Sequence, residues 1–387
     1  MRIVFIITLI VLGFLVFSSC VSKPPKKVEE PPKKEEPKVI RIAGVGPLTG
    51  SQSEFGNDQV NGEELAVQEV NAAGGILGMK VEFVRMDDKA DPTEAVSVAH
   101  KLGADSTIVA VVGHPNSGTA IPSSGIYEQY KLPLVVTTAT NPKVTQQEFK
   151  YTFRICPTDD VQGSLAAEYA VQQIGKKQLA VIHDRTAYGQ GIAEEFKKRA
   201  EELGAKIVAF EGVTEGQKDF SAVLTKIKGK KPEVLYFGGM YPEAGLIVKQ
   251  ARSAGIKAVF IAPDGTFDPE FIRIAGKEAT GSIITFLAPP WSELSQASAF
   301  IQSYNQKFGE VGAFSGHGFD AVNVVLDAIK RAGKADRDAI RNALADPSFQ
   351  YNGLTGSISF DEKGQLKAKN FFFYTVENDK FTLAKSQ

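Results

Sequence analysis

Short apolar runs alternate with amphipathic stretches along most of the chain. Residues 39–46, 107–112 and 132–137 are apolar runs that predict buried strands. Helix-forming sequence lies between them, and the helix in "DPTEAVSVAHKL" should have Asp91 as its cap and Pro92 as its first residue. Strands that alternate with helices predict parallel sheets covered by helices on both faces.

This alternation pauses once. Residues 141–160 are irregular, and strand patterns resume at 178–183, 233–239 and 258–265 with helical sequence between them. The second set is similar in extent to the first. We therefore predict an α/β protein with two doubly wound parallel-sheet domains and a boundary near residues 155–160.

The N-terminal segment has a different pattern. Arg2 precedes an apolar run that ends in Ser18-Ser19-Cys20. The run is shorter than the roughly 20 residues of a membrane-spanning helix. We interpret residues 1–19 as a secretory signal peptide. The ending "VFSSC" resembles a bacterial lipobox, which implies lipidation of Cys20, although Phe17 departs from the usual leucine. A plain secretory signal that is cleaved nearby is the alternative.

Residues 20–38 have almost nothing apolar to bury. The stretch "VSKPPKKVEEPPKKEEPK" alternates proline pairs with lysine and glutamate pairs, which predicts a disordered, extended segment. At ~3.1 Å per residue it would reach up to ~55 Å. Such a tether suits a domain that is anchored by a lipid, and a ligand for a proline-binding module is the alternative.

Composition excludes several classes of function. The formal net charge of −1 gives no electrostatic case for nucleic acid. The four histidines include no pair at the i, i+4 spacing of a metal site, and two cysteines are too few to build one. We predict no metal and no other cofactor, and we expect Cys156 to be a small buried apolar residue.

The loops after the predicted strands carry the candidate chemistry. In open parallel sheets, ligands bind beyond the carboxyl ends of the strands. Those ends are rich in glycine, serine and threonine, and Asp264 adds an acid. No dinucleotide-binding glycine motif, phosphate-binding loop or nucleophile elbow is present. A hydrolase that uses Ser117 with His114 or His183 stays open, but we predict that the protein is not an enzyme.

A different chemistry fits these loops better. Ser117 and Gly118 lie where a helix begins, and free amides with the positive end of the helix favour an anion there. The alternative is that Ser117 only caps its own helix. The loop "TTATNP" offers hydroxyls and carbonyls for an ammonium, and Asp264 offers a countercharge. Together they predict a clamp for an amino acid.

The order of the motifs points to a known family. From about Val39 onward, the chain resembles the leucine/isoleucine/valine-type substrate-binding proteins of bacterial ABC transporters, which have the type I periplasmic binding fold. The motifs that carry this resemblance are "VGPLTG", "GNDQVNGEELAVQEVNAAGGILG", "DDKADPTEAV", "VVGHPNSGTA", "TTATNP", "IHDRTAYGQG", "GQKDFSAVL", "FGGMYPEAG" and "FDEKGQLK".

The resemblance implies a set of ligand contacts. Ser117 and the neighbouring amides would take the ligand carboxylate, while the Thr138 carbonyl, the Thr140 hydroxyl and Asp264 would take its ammonium. Aromatic and apolar side chains would wall the pocket or close over it. The implied ligand-binding residues are Phe55, Ser117, Thr138, Ala139, Thr140, Tyr188, Met240, Asp264 and Phe314.

Two positions depart from the pattern of this family. Asp264 stands where members often have glutamate, so direct contact with the ammonium needs a closer strand or a bridging water. Met240 stands where many members have tyrosine, and a flexible apolar side chain hints at an aliphatic ligand. Without ligand, we expect Asp264 to face a water-filled cleft.

The resemblance also implies three chain crossings between the domains. Domain one would comprise residues 39–158 and 288–370, and domain two residues 159–287 and 371–387. The expected function is that of a monomeric, lipid-anchored, extracytoplasmic binding protein that closes on an amino acid and docks on ABC permease subunits. The alternatives are an amide or urea ligand, another amino acid, or a lipid-anchored sensor.

Overall fold

The structure is a computed structural model that describes residues 39–384. The predicted signal peptide, Cys20 and the tether at residues 20–38 lie outside the described residues, as do the last three residues of the predicted second domain.

The first sheet contains the strands predicted at residues 39–46, 107–112 and 132–137, and two more, of which the last lies in the stretch 141–160 that has an irregular pattern. They are β1 (Ile40–Gly46), β2 (Val81–Asp87), β3 (Ile108–Gly113), β4 (Leu134–Val136) and β5 (Thr152–Arg154). All pairings are parallel, in the spatial order β2–β1–β3–β4–β5. Ile40 and Ile42 of β1 lie in one buried cluster, and Ala43 and Val45 lie in another. Both faces of this sheet are therefore covered.

The helices of the first domain come from two parts of the chain. They are α1 (Ser53–Ala72), α2 (Pro92–Ala104), α3 (Ser117–Gln129) and α4 (Lys143–Gln146), with α10 (Ser298–Phe308), α11 (Ser315–Ala332) and α12 (Arg337–Leu344). The predicted start of α2 is confirmed, because the Asp91 side chain accepts hydrogen bonds from the amides of Thr93 and Glu94.

The second sheet is larger. Its strands are β6 (Gln178–His183), β7 (Lys206–Gly212), β8 (Val234–Gly238), β9 (Val259–Ala262), β10 (Ile283–Phe286), β13 (Phe372–Glu377) and β14 (Lys380–Leu383). Their order is β14–β13–β10–β9–β8–β6–β7, and only the pairings of β13 with β10 and β14 are antiparallel. The associated helices are α5 (Asp159–Glu168), α6 (Ala187–Glu202), α7 (Ser221–Lys228), α8 (Tyr241–Ser253) and α9 (Pro269–Ala275).

The chain passes between the two sheets three times. It leaves the first sheet after β5, returns after β10 to form α10–α12, and leaves again before β13. A small hairpin of β11 (Tyr351–Gly353) and β12 (Gly356–Ile358) precedes the last passage. Next to it, the Arg154 amide of β5 donates to the Gly364 carbonyl at 2.8 Å.

The predicted fold class is therefore confirmed: two doubly wound parallel-sheet domains are joined by three crossovers. The residue boundaries of the two domains stay a prediction.

Two further features concern the described residues. Cys156 follows β5 as a fully buried free thiol. No helix within residues 39–384 is long and apolar enough to cross a membrane.

Candidate functional site

The loop between β3 and α3 is tightly constrained. Gly113 has a φ of +118°, and a Cβ there would lie 2.0 Å from the Val45 carbonyl oxygen, so only glycine fits. His114 follows with a φ of +45°. This turn makes Ser117 the first residue of α3.

Ser117 is positioned to donate to an anion. Its side chain is buried, and its Oγ accepts a hydrogen bond from the Asn141 amide at 3.2 Å, which leaves the hydroxyl proton for another acceptor. Asn116 occupies the N-cap position, so Ser117 does not merely cap its own helix. The positive end of the α3 dipole favours an anion at the same point.

The histidines are not placed as a general base for Ser117. His114 is fully buried, and its two ring nitrogens lie 2.9 Å from Asp88 Oδ2 and 2.9 Å from the Tyr127 hydroxyl. His183 Nδ1 accepts from the Arg185 amide at 3.2 Å, and burial lowers the pKa of His183. Among the described residues, neither histidine hydrogen-bonds to Ser117.

The polar groups of the loop after β4 differ in their hydrogen bonding. The Thr138 hydroxyl donates to Gln59 Oε1 at 3.1 Å, and the Ala139 carbonyl accepts from Arg154 Nη1 at 2.9 Å. The Thr140 hydroxyl is buried and has no hydrogen-bond partner within the described part of the chain. The Ala139 carbonyl is therefore engaged by Arg154, whereas the Thr140 hydroxyl remains available for a hydrogen bond.

Asp264 lies immediately beyond β9, in a short turn at Asp264–Thr266. The Tyr188 hydroxyl donates to Asp264 Oδ1 at 2.8 Å and accepts from the Gly265 amide at 2.9 Å. Burial raises the pKa of Asp264 to about 6, and the hydrogen bond from Tyr188 opposes this shift. A nearby cation would restore the charged carboxylate, because opposite charge favours the ionised form.

Apolar side chains from both domains close the site. The rings of Phe55 and Phe314 meet edge to face with centroids 4.6 Å apart. Met240 ends the loop after β8 and is buried in the same cluster as both rings. These side chains form a flexible and aromatic wall without a hydrogen-bonding group.

Most of the predicted residues line one small cavity of about 20 Å³. Its lining consists of Phe55, Pro115, Asn116, Ser117, Thr138, Tyr188, Met240, Asp264, Gly265 and Phe314. Of the predicted ligand-binding residues, only Ala139 and Thr140 do not line it. The cavity has room for about one water molecule, which needs ~10–15 Å³.

The two domains also contact each other directly through hydrogen bonds outside this cavity. Gln52 Nε2 donates to Glu215 Oε1 at 3.0 Å, and the Tyr241 hydroxyl donates to the Ser51 carbonyl at 2.9 Å. The domains are closed in this structure, so the expectation that Asp264 faces a water-filled cleft concerns the open form and stays a prediction. Asp264 is only 4% exposed.

Sequence analysis missed a second acid at the site. Asp159, the first residue of α5, is fully buried, and neither of its carboxylate oxygens has a partner among residues 39–384. Burial raises the pKa of Asp159 well above its usual range; the charge of Asp264 adds to the shift, and the Thr140 hydroxyl and Arg154 oppose it. From the sequence alone, the pattern "TDD" indicates only the start of a helix. It therefore gave no reason to assign Asp159 to the site.

Arg154 was missed as well. It is fully buried, and its Nη1 donates to the carbonyls of Ala139 at 2.9 Å and Asn141 at 2.6 Å. Its Nε donates to Gln365 Oε1 at 2.7 Å. Arg154 thereby fixes the loop that carries Thr138. No feature of "YTFRIC" distinguishes it from a surface arginine at a strand end.

The described residues contain no group of three or more His, Cys, Asp or Glu side chains that could hold a metal ion. The arrangement instead combines donors at Ser117, acceptors at Thr138 and Asp264, and an apolar wall. These groups complement a small zwitterion with an apolar side chain.

Comparisons with known proteins show which family the chain resembles. The sequence pattern of the periplasmic binding protein family matches residues 39–380. Leu/Ile/Val-binding protein homolog 1 of Brucella abortus is 39% identical over 337 residues, which cover 87% of this chain and 90% of that protein. A leucine-, isoleucine-, valine-, threonine- and alanine-binding protein of Pseudomonas aeruginosa is 37% identical over 341 residues, covering 88% and 90%.

Solved structures give the same result. A leucine-binding protein from Thermotoga maritima has a TM-score of 0.82 at 32% identity and covers 89% of this chain and 98% of that one. A branched-chain amino acid transporter substrate-binding protein from Streptococcus pneumoniae, in complex with isoleucine, has the same TM-score of 0.82, 32% identity and coverage of 89% and 98%.

Proposed function

The chain belongs to the periplasmic binding protein family, and we propose that it captures a branched-chain aliphatic amino acid between its two domains and delivers it to an ABC permease. One observation carries the proposal. Ser117, Thr138 and Asp264 border a single cavity that Asn116 and Tyr188 also line, and Phe55, Met240 and Phe314 form its apolar part. Such an arrangement suits a molecule with a carboxylate, an ammonium and an aliphatic side chain.

The carboxylate would bind at the start of α3. The Ser117 hydroxyl has its proton free for this contact, and the positive end of the helix adds to the attraction. A hydrogen bond to a charged group typically contributes about 1.5–3 kcal/mol. The carboxylate would therefore be held mainly by neutral donors.

The ammonium would bind between the loops after β4 and β9. Asp264 would supply the countercharge, the Thr138 carbonyl a neutral acceptor, and Tyr188 would hold the Asp264 carboxylate through Oδ1. Asp159 is buried, with the Thr140 hydroxyl beside it, and its charge is coupled to that of Asp264. An ammonium in a closed site needs such partners, because an unpaired buried charge is costly.

The side chain would pack against Phe55, Met240 and Phe314. These residues offer no polar partner, which favours an aliphatic group over a polar one. The relatives from Brucella abortus and Pseudomonas aeruginosa are named for binding leucine, isoleucine and valine. We extend this preference to the present chain.

Ligand entry would require the domains to separate. The 20 Å³ cavity is far too small for an amino acid, and the Gln52–Glu215 and Tyr241–Ser51 hydrogen bonds join the two domains. Three adjacent crossovers form a hinge about which two rigid domains can rotate. Closure around the ligand would then create the surface that docks on the permease.

Residues 20–38 would hold the mature protein at the membrane after the signal peptide is removed. In this proposal Cys20 carries the lipid, the tether extends from it, and the body works as an extracytoplasmic monomer. Replacing Cys20 with alanine should release the protein into the soluble fraction or leave it uncleaved. Wild-type protein that is entirely soluble and starts at another residue would contradict the anchor.

A thermal-shift screen tests the proposed ligand class. The purified protein is heated with each of the twenty amino acids, and with urea and short amides, at matched concentrations. A ligand that binds only the folded state raises the melting temperature by mass action. We expect the largest shifts with leucine, isoleucine and valine. Shifts with amides or urea alone would favour the amide-binding alternative.

A further inference from the structure

A second, larger cavity lies beside the small one. Its volume is about 440 Å³, within the usual range of ~300–1,000 Å³ for small-molecule sites. Its lining includes Asn116, Ser117, Asp184, Tyr188, Glu215 and Met240. We call it the outer cavity, and we call the 20 Å³ cavity the inner cavity.

The two cavities share a boundary. Asn116, Ser117, Tyr188 and Met240 line both of them, whereas Asp264 lines only the inner one. If Asp264 holds the ammonium of the ligand, the carboxylate would lie near Ser117. The first carbon of the side chain would then lie at the boundary between the two cavities. Met240 is unbranched and flexible, so it can yield to a passing side chain.

The outer cavity is lined by one buried acid, Asp184, and one exposed acid, Glu215. Asp184 is only 2% exposed; its Oδ1 accepts from the Thr186 amide at 2.9 Å and hydroxyl at 2.6 Å. Its Oδ2 accepts no hydrogen bond from the described residues. Glu215 lines the same space and engages Gln52 through Oε1 at 3.0 Å. Two acids thus face one basic residue, Arg185.

The surroundings of these acids favour a cation. Burial raises the pKa of Asp184 to about 7, and the hydrogen bonds from Thr186 oppose this shift. The negative charges of Glu215 and Glu243 raise the pKa further. Burial raises the pKa of Glu215 too, with Glu243 adding to it. A cation in the outer cavity would relieve this repulsion, because opposite charge stabilises the ionised carboxylates.

We propose that the outer cavity receives the charged end of a basic side chain, so that the protein also binds lysine or arginine. This inference rests on the proposed binding of the ligand's α-groups at Ser117 and Asp264. Long basic side chains bury an apolar stem and keep a charged head apart from it. The stem would pass Met240 and Tyr188, and the head would reach Asp184 Oδ2 and Glu215.

Paired ligands and variants test this inference. Calorimetric titrations compare lysine with norleucine, which has the same chain without the terminal charge, on the wild type, Asp184→Asn and Glu215→Gln. Asparagine retains the Oδ1 acceptor for Thr186, so the turn should survive. We expect lysine affinity to fall at least ~10-fold in Asp184→Asn, while norleucine affinity stays within ~2-fold.

An exposed acid provides the matched control. Glu202→Gln on α6 removes the same charge at a side chain that is 49% exposed, and it should leave lysine binding unchanged. Binding of leucine and norleucine without lysine or arginine would overturn the outer-cavity proposal and leave the proposed function standing. Equal losses for lysine and norleucine in Asp184→Asn would overturn it as well, since they would mark Asp184 as structural. Absence of binding by any amino acid would overturn both.

Discussion

Asp264 and Ser117 should contribute unequally to ligand binding. Removing one partner of a buried charge pair typically costs ~2–5 kcal/mol, so Asp264→Ala should weaken binding of a branched-chain amino acid by roughly 30-fold to several thousand-fold. Ser117→Ala removes one donor but keeps the helix amides, and its loss should be smaller, on the order of 1.5–3 kcal/mol.

Titration calorimetry on the two variants checks this order. Asp264→Asn is the companion variant, because it keeps an acceptor for the Tyr188 hydroxyl while it removes the charge. Melting temperatures of the free proteins report any loss of folding. If Asp264→Ala binds within ~2-fold of the wild type, the acid does not hold the ammonium.

Acid pH should weaken binding through the same residue. Burial in the closed structure raises the pKa of Asp264 to about 6, and a bound ammonium would lower it, because the ammonium favours the carboxylate. Affinity should be full above pH ~6 and decline as the pH falls through that value, by up to ~10-fold per unit. Asp159 is electrostatically coupled to Asp264, so the pH dependence of the affinity reports the titration of both carboxyl groups together.

The pH profile has a clear control. Asp264→Asn should bind weakly and lose most of this dependence, since it has no carboxyl group at residue 264. A wild-type affinity that is constant between pH 5 and pH 7, or one that rises as the pH falls, would contradict an ionised Asp264 at the ammonium.

Individual site residues were predictable where a loop follows a strand. Ser117, Tyr188 and Asp264 stand at such positions, and the resemblance to a family supplied their roles. Asp159 and Arg154 were missed because helix-start acids and strand-end arginines are usually exposed. Their full burial results from packing of the crossover against the loop after β4, which no local pattern encodes.

Among the secondary-structure elements, the β3–α3 loop should be especially sensitive to substitution. In Gly113→Ala the new Cβ would meet the Val45 carbonyl oxygen at 2.0 Å, at a φ of +118°, so backbone must shift. We expect a loss of unfolding free energy of at least ~1 kcal/mol, in the range of backbone strain. Chemical denaturation measures it.

Gly118→Ala in the same loop region is the matched control. Its Cβ would come no closer than 4.0 Å to Pro92, and alanine is the better helix former. Its stability should equal or slightly exceed that of the wild type. Equal stabilities of Gly113→Ala and Gly118→Ala would show that the loop is not constrained as described.

Most element types followed from the periodicity, but α4 and β5 in the irregular stretch 141–160 did not, and neither did the element ends. The pattern at 258–265 predicts one strand, whereas β9 ends at Ala262 and Asp264 begins a short turn. The proline between them interrupts the strand, since it lacks an amide donor. That turn is what brings the Asp264 side chain to the Tyr188 hydroxyl.

At the scale of the whole molecule, two α/β domains were predictable and their connection was not. Alternating strands and helices indicate parallel sheets, but they do not reveal that α10–α12 return to the first sheet. Residues of these helices pack with α1 across a long sequence separation. Only the resemblance to a known family supplied the three crossovers.

The closed arrangement links the fold to the proposed function. The walls of the inner cavity come from both domains, so a ligand there would be enclosed only after closure. Hydrogen bonds such as Gln52–Glu215 would then hold the domains together around it. Binding and closure would be one coupled equilibrium.

Titration calorimetry of isoleucine into the wild-type protein, with Ser117→Ala and Asp264→Ala alongside, tests the central claim most directly. We predict one site per chain, weaker binding in both variants with the greater loss in Asp264→Ala, and isoleucine recovered chemically unchanged. Absence of binding by any branched-chain amino acid, or wild-type affinity in both variants, would contradict it.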